Sequence, residues 1–317
     1  MTALRCAVVG VGYLGKFHAQ KYAAAPDAEL VAVVDADPES AQRVATENGC
    51  QALTDYHELL GKVDAVSIAV PTTLHHQVAR DFLQAGAHVL VEKPITVTPE
   101  EAGELVDIAA QKNLVLQVGH LERFNAAILG LGDRLAEPMF IESHRLAPFK
   151  PRATDVNVVL DLMIHDIDII LDIVKSEVVN IAASGAQVLS SDIDIANARL
   201  EFANGCVANV TASRISMKME RKMRLFQRDA YIAIDFQNKG LTIHRKGEGE
   251  MFPGVPEIKS EETFYEESDA LNSEILAFLN AIRTGTPPPV SGEDGKRALE
   301  TAMRITDLLA QSPNSLN

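Results

Sequence analysis

Basic residues are in short supply in this sequence: 29 lysines and arginines stand against 44 aspartates and glutamates, a net charge of −15. So anionic a chain repels a phosphate backbone overall, which argues against nucleic acid as its partner. Cysteine is scarce too. Cys6, Cys50 and Cys206 are odd in number and lack metal-ligand spacing, so neither a disulfide framework nor a zinc site is expected. They read as small apolar residues of a protein kept in a reducing, cytoplasmic compartment. No apolar stretch reaches the ~20 residues of a membrane span, and a strand-like run starts almost at Met1, leaving no room for a signal peptide. At 317 residues the chain is long enough for two domains, each with its own core.

Cations are missing altogether from one telling place. Asp161, His165, Asp168 and Asp172 follow one another at steps of four, three and four inside an apolar run. In an α-helix, at about 100° per residue, they would line one side within roughly 60° of each other. Val156, Leu160, Met163, Ile167, Leu171 and Val174 would take the opposite side. Three carboxylates and a histidine without Lys or Arg have a proton-transfer reading and a metal reading. The metal reading has only one helix to supply hard ligands, and no other His/Cys set shows ligand spacing, so no metal is expected.

The amino-terminal end carries a second signal. Leu4 to Val9 is a strand-like run followed directly by Gly10, Val11, Gly12, Tyr13, Leu14 and Gly15, then by a helical segment to about Ala25. This is the GxGxxG fingerprint in its required strand–turn–helix setting. Gly10 makes the turn, Gly12 lets backbone approach a pyrophosphate, and Gly15 lets helix and strand pack closely. The helix then offers free N–H groups to phosphate. A second strand, Glu29 to Val34, ends in Asp35, where a carboxylate accepts ribose hydroxyls and repels a 2′-phosphate. Ala36 and Asp37 provide no arginine, so NAD is favoured over NADP, although Arg43 could reach in from the next helix.

Strands and helices go on alternating to about Gly119, which defines a doubly wound parallel sheet of the Rossmann type in a domain of residues 1–120. Ligands in such sheets sit beyond the carboxyl ends of the strands. Three strand ends are unusual there: Pro71-Thr72-Thr73-Leu74-His75-His76, Glu92-Lys93-Pro94 and Gly119-His120. Residues 121–317 read as an α+β domain with a large, mostly antiparallel open sheet for substrate binding and oligomerisation. Helical stretches are expected around Phe124 to Arg134 and Val156 to Val174, two more at the end of the chain, and a mobile loop from Lys246 to Glu262.

The fingerprint, Pro71 with His75, the Glu92-Lys93-Pro94 triplet and Asp161-x-x-x-His165-x-x-Asp168 together resemble the glucose–fructose oxidoreductase, inositol dehydrogenase and MocA-like family, in order and over nearly the whole chain. The resemblance implies an NAD(P)-dependent oxidoreductase of sugar or cyclitol carbinols, with Lys93, Asp161 and His165 catalytic. It implies cofactor contacts at Gly10, Gly12, Tyr13, Leu14, Gly15, Asp35, Pro71, Thr72, His75, Glu92 and Lys93. The segment from Gly119 to Asn125 and the Asp161 motif are similar to the branch that oxidises the 3-hydroxyl of UDP-N-acetylglucosamine ahead of an aminotransferase, for lipid A or surface sugars. Substrate residues are then expected at His120, Arg123, Phe124, Asn125, Arg152, Asp161, His165 and Arg214, in a homodimer or homotetramer. Independently, Ser213 to Arg224 is the densest cationic stretch and fits either a diphosphate or a solvated strand edge, with Arg123, Arg145, Lys150 and Arg152 as rivals. An inositol or free-sugar dehydrogenase, and a non-catalytic NAD-binding sensor, stay open as alternatives.

Overall fold

A computed structural model describes residues 2–149, 157–265 and 268–311. In chain order the first elements are β1 (Leu4–Val9), α1 (Gly15–Ala24), β2 (Ala28–Val34), α2 (Pro38–Asn48), β3 (Gln51–Leu53), β4 (Ala65–Ile68), α3 (His75–Gln84), β5 (His88–Glu92), α4 (Pro99–Lys112) and β6 (Leu116–Gly119). Then come α5 (Ala126–Leu129), β7 (Phe140–Leu146), α6 (Ile164–Val174), β8 (Val178–Ala186), β9 (Ile195–Phe202), β10 (Val207–Ser213), β11 (Glu220–Phe226), β12 (Ala230–Asp235), β13 (Gly240–Phe252), β14 (Val255–Phe264), α7 (Ala270–Thr284) and α8 (Gly292–Ala310). They form two compact units, Met1–Phe124 with Asp269–Leu299, and Asn125–Ser268 with Glu300–Asn317. A simple break after residue 120 therefore omits the return of the chain's last part to the first unit.

In the first unit six strands run parallel in the order β3-β2-β1-β4-β5-β6. β1 from Cys6 onward and all of β4 are buried on both faces, as a sheet covered by helices on two sides requires. Local chemistry starts and stops the helices. Asp37 accepts the Glu39 and Ser40 N–H groups ahead of Pro38, and Gly49 ends α2 at φ 70°. Thr98 and Glu101 form a capping box for α4 behind Pro99. Ile275, Phe278 and Leu279 of α7 pack with Cys6, Val8, Tyr22 and Leu90 in one buried cluster.

The second unit is built on an eight-stranded sheet, β14-β13-β12-β11-β7-β10-β9-β8. Every neighbour pair is antiparallel except β7 with β10, which pair in parallel. Residues 246–262, expected as a loop, instead extend a hairpin of β13 and β14 with irregular register after Lys246. Their charged side chains hid the pairing, since it is carried by backbone. The helix expected over 124–134 is only the four-residue α5 between 3₁₀ turns. No helix among the described residues is long and apolar enough to cross a membrane.

Candidate active site

The fingerprint turn divides its glycines by function. Gly10 has φ +84°, and a Cβ there would lie 2.7 Å from the Ala69 carbonyl oxygen. At Gly15 a Cβ would come 1.8 Å from the Gly10 oxygen, so a side chain would drive the helix off the strand. Gly12 faces nothing within 4 Å, which leaves its backbone open to a ligand. Asp35 accepts the Val11 N–H at 2.8 Å and the Asp37 N–H at 3.0 Å, so it braces the turn as well as facing the site. A cavity of about 320 Å³ opens here, lined by Gly10, Gly12, Asp35, Ala36, Val70, Pro71 and Leu74 among others. Its carboxylate, open glycine backbone and apolar walls fit an adenosine diphosphate moiety. Arg43 is exposed on α2 and lies outside this lining. Tyr13 and Leu14 are exposed on the turn, and Lys16 stands 4.9 Å over the Phe17 ring.

Beyond β4, Thr72 belongs to a 3₁₀ turn that leads into α3. His75 departs from the expected cofactor contact. It is buried between two strand ends, with Nδ1 2.8 Å from the Pro94 carbonyl and Nε2 2.9 Å from the Val70 carbonyl, and as a neutral ring it donates its one N–H to one of the two. Burial holds its imidazole below the usual histidine range. Glu92 also turns inward, with Oε1 3.0 Å from His18 Nε2. Lys93 is half-buried at the end of β5. His120, after β6, is buried, and its pKa is pushed down to about 3, chiefly by burial and further by the charges of Lys93 and Arg123. That coupling places His120 near Lys93 as a neutral ring. Arg123 donates to the Pro289 carbonyl at 2.9 Å.

In the second unit Asp161 lies in a π-helical turn, Val159–Met163, that feeds α6, and His165 sits in the first turn of α6. The single regular helix expected across the acidic seam is thus broken between its first two members. Such π turns occur often at functional sites. Asp161 and His165 are half-buried, whereas Asp168 is buried. Asp166, which the spacing analysis passed over, forms a two-pronged buried pair with Arg145 of β7, at 2.8 and 3.0 Å. Arg145 is thereby committed to a carboxylate.

Arg214, expected to bind substrate, is buried against Asp194 at 2.9 Å and also donates to Ser190 Oγ and the Ile193 carbonyl. Burial opposes ionisation of Asp194, but the Ser190 hydroxyl and the N–H groups of Val188, Leu189 and Ser190 outweigh it and hold the carboxyl below the usual range. The geometry gives Arg214 a structural part in place of a phosphate contact. Asn125 caps α5 through the Ala127 N–H and donates to the Phe236 carbonyl, and Phe124 is a core residue. Lys150 and Arg152 lie outside the described residues.

A fingerprint turn, a braced acid at the end of β2 and a lysine on the same sheet edge define the first unit as the nucleotide domain of an NAD-linked oxidoreductase. Comparison with known proteins makes the class specific. Residues 4–120 match the NAD-binding Rossmann fold of the GFO/IDH/MocA oxidoreductases, and residues 134–232 match the C-terminal domain of the same family. The chain is 42% identical, over 96% of its length and 97% of the other's, to a UDP-N-acetylglucosamine 3-dehydrogenase of Acidithiobacillus ferrooxidans. A solved structure of that enzyme superposes with a TM-score of 0.93 at 41% identity, covering 100% of both chains. An inositol 2-dehydrogenase of Rhizobium meliloti is 27% identical over 94% of each chain. This chain belongs to the GFO/IDH/MocA family and is an NAD-dependent oxidoreductase acting on sugar hydroxyl groups.

Proposed function

We propose that the chain oxidises the 3-hydroxyl of UDP-N-acetylglucosamine to a ketone. The observation that carries this reading is the 42% identity to a relative of that activity over nearly the full length of both chains. NAD, when bound, supplies a nicotinamide that accepts hydride from the carbinol carbon. Gly12 gives it backbone access on a turn that Gly10 and Gly15 allow to close, and Asp35 takes the ribose hydroxyls. Lys93 binds the substrate oxygen as an ammonium and stabilises negative charge growing there. His165 removes the hydroxyl proton, and Asp161, one turn earlier, orients substrate or imidazole. With Arg145 and Arg214 committed to buried carboxylates, Arg123 is the remaining arginine for the diphosphate among the described rivals.

A 3-keto sugar is a substrate for transamination, so a cytoplasmic aminotransferase is the reaction class expected to follow. A homo-oligomer is proposed on the exposed Ile258 and Phe264 of β14, an edge strand of the eight-stranded sheet. The test is to mix protein, NAD and UDP-N-acetylglucosamine, with an aminotransferase and glutamate drawing off the ketone. Reduced nicotinamide should accumulate. Turnover of inositol or a free sugar with none on any UDP-sugar would move the chain to another branch of the family.

A further inference from the structure

The first unit buries a set of polar side chains that the nucleotide fingerprint does not require. His18 of α1 is 1% exposed, with Nδ1 3.2 Å from Ser67 Oγ and Nε2 3.0 Å from Glu92 Oε1. Tyr22, one turn further along α1, places its hydroxyl 2.8 Å from the same Ser67 Oγ. Glu274 of α7 is fully buried, and neither of its carboxyl oxygens has a hydrogen-bond partner. One donor or acceptor atom each from His18, Glu92 and Glu274 lies within 4.8 Å of the others. Two carboxylates at that separation away from water cannot both stay ionised without compensation.

Compensation comes from a cation or a proton. Tetrahedral zinc at ~2.0–2.1 Å from each ligand would hold its donors about 3.3 Å apart, whereas His18 Nε2 and Glu92 Oε1 already face each other at 3.0 Å, a direct hydrogen bond. A proton fits without displacement. Tyr22 can donate to Ser67, Ser67 to His18 Nδ1, and His18 Nε2–H to Glu92, so the chain of donors runs one way and ends on one carboxylate. A protonated Glu274, whose carboxyl oxygens make no hydrogen bond, adds no second charge beside Glu92. The groups near Glu274 agree: Glu92 from β5 and His18 and Tyr22 from α1 include no lysine or arginine among the described residues, and burial followed by the Glu92 charge pushes the acid well above the usual carboxylate range. Gly119 makes the room, since a Cβ there would lie 3.0 Å from Glu92 Cδ and Oε2.

We propose that Glu274 is kept as a neutral acid, which leaves Glu92 as the one charged carboxylate, held by His18, so that Glu92 is a positioning residue for the adjoining Lys93 and makes no contact with cofactor. The part concerning Lys93 rests on the dehydrogenase reading above; the proton on Glu274 does not. The folded protein then holds a proton that the unfolded chain gives up above a pH of about 4.3, so wild type should lose stability relative to Glu274→Gln as pH rises. Between about pH 6 and 9 the ratio of their unfolding constants should change by up to tenfold per pH unit. A ratio that is constant, or that moves the other way, overturns the proposal. Infrared spectroscopy of wild type gives a reading that needs no variant: a protonated-carboxyl C=O band near neutral pH is expected, and its absence also overturns the idea. Elemental analysis should find no stoichiometric divalent metal; a metal whose chelation lowers the melting temperature would replace the proton. Glu92→Gln should lower kcat about tenfold and move its pH profile, with NAD affinity held within about twofold. Loss of NAD binding would instead make Glu92 a cofactor ligand.

Discussion

Gly12 and Gly15 stand three residues apart under opposite constraints. An alanine at Gly12 meets nothing within 4 Å, so Gly12→Ala should melt within a few degrees of wild type while its NAD affinity falls at least about tenfold, because only a bound pyrophosphate needs that space. Gly15→Ala, whose Cβ would stand 1.8 Å from a carbonyl oxygen, should lower the melting temperature as well. Calorimetry with NAD titration separates the two outcomes. The residues proposed as catalytic should give a different signature. Lys93→Met and His165→Ala should each cut kcat by roughly 10²-fold or more while NAD still binds. Near-native rates in both variants would remove them from the mechanism. Asp35 combines both kinds of duty, and only one was visible beforehand. Its place after β2 pointed to ribose, but its hydrogen bond to the Val11 N–H depends on how the turn folds back.

At the scale of elements, the parallel sheet could be read from sequence because its strands are short apolar runs bounded by strong signals. Gly10 marks a boundary that the structure keeps, and Thr98 with Pro99 and Asp37 with Pro38 cap the next helices there. The second sheet was harder. β7 carries Glu142, His144 and Arg145, and β8 has a solvated face, so neither shows the apolar run that betrays a buried strand. The π turn before α6 left no trace either, since side chains four and three apart align equally in the regular helix that was expected. Asp166 escaped notice because its partner is twenty-one residues earlier, on β7. This pair ties α6 to the sheet. Asp166→Ala strands a buried guanidinium and should cost about 3–5 kcal/mol in urea unfolding, whereas an apolar replacement of both partners should cost much less. Equal losses in the single and double variants would mean that the stranded charge is not what the single variant loses.

The whole molecule carries opposed titrations. Burial holds His75, His88 and His120 below the ordinary histidine value of 6.5, and His88 Nδ1 accepts the Val115 N–H at 2.8 Å, a bond that protonation would abolish. A depressed histidine pKa means that below about pH 6.5 the unfolded chain takes up protons that the folded chain refuses, so stability falls as pH falls. Glu274 works in the other direction, its contribution declining as pH rises. Denaturation midpoints followed over pH should therefore pass through a maximum, with an acid limb that softens in His88→Gln. A midpoint that rises steadily toward low pH would contradict the burial of these rings. The first unit has one more consequence for the living chain. Its core requires Ile275, Phe278 and Leu279, and its buried acid is Glu274, all of which follow the second unit's sheet in sequence. During synthesis the nucleotide domain therefore begins first but cannot close until α7 has emerged, its β1 and β5 surfaces waiting while more than a hundred intervening residues leave the ribosome. Stop codons after residue 268 should leave aggregation-prone fragments whose fingerprint is intact and whose domain is unfinished.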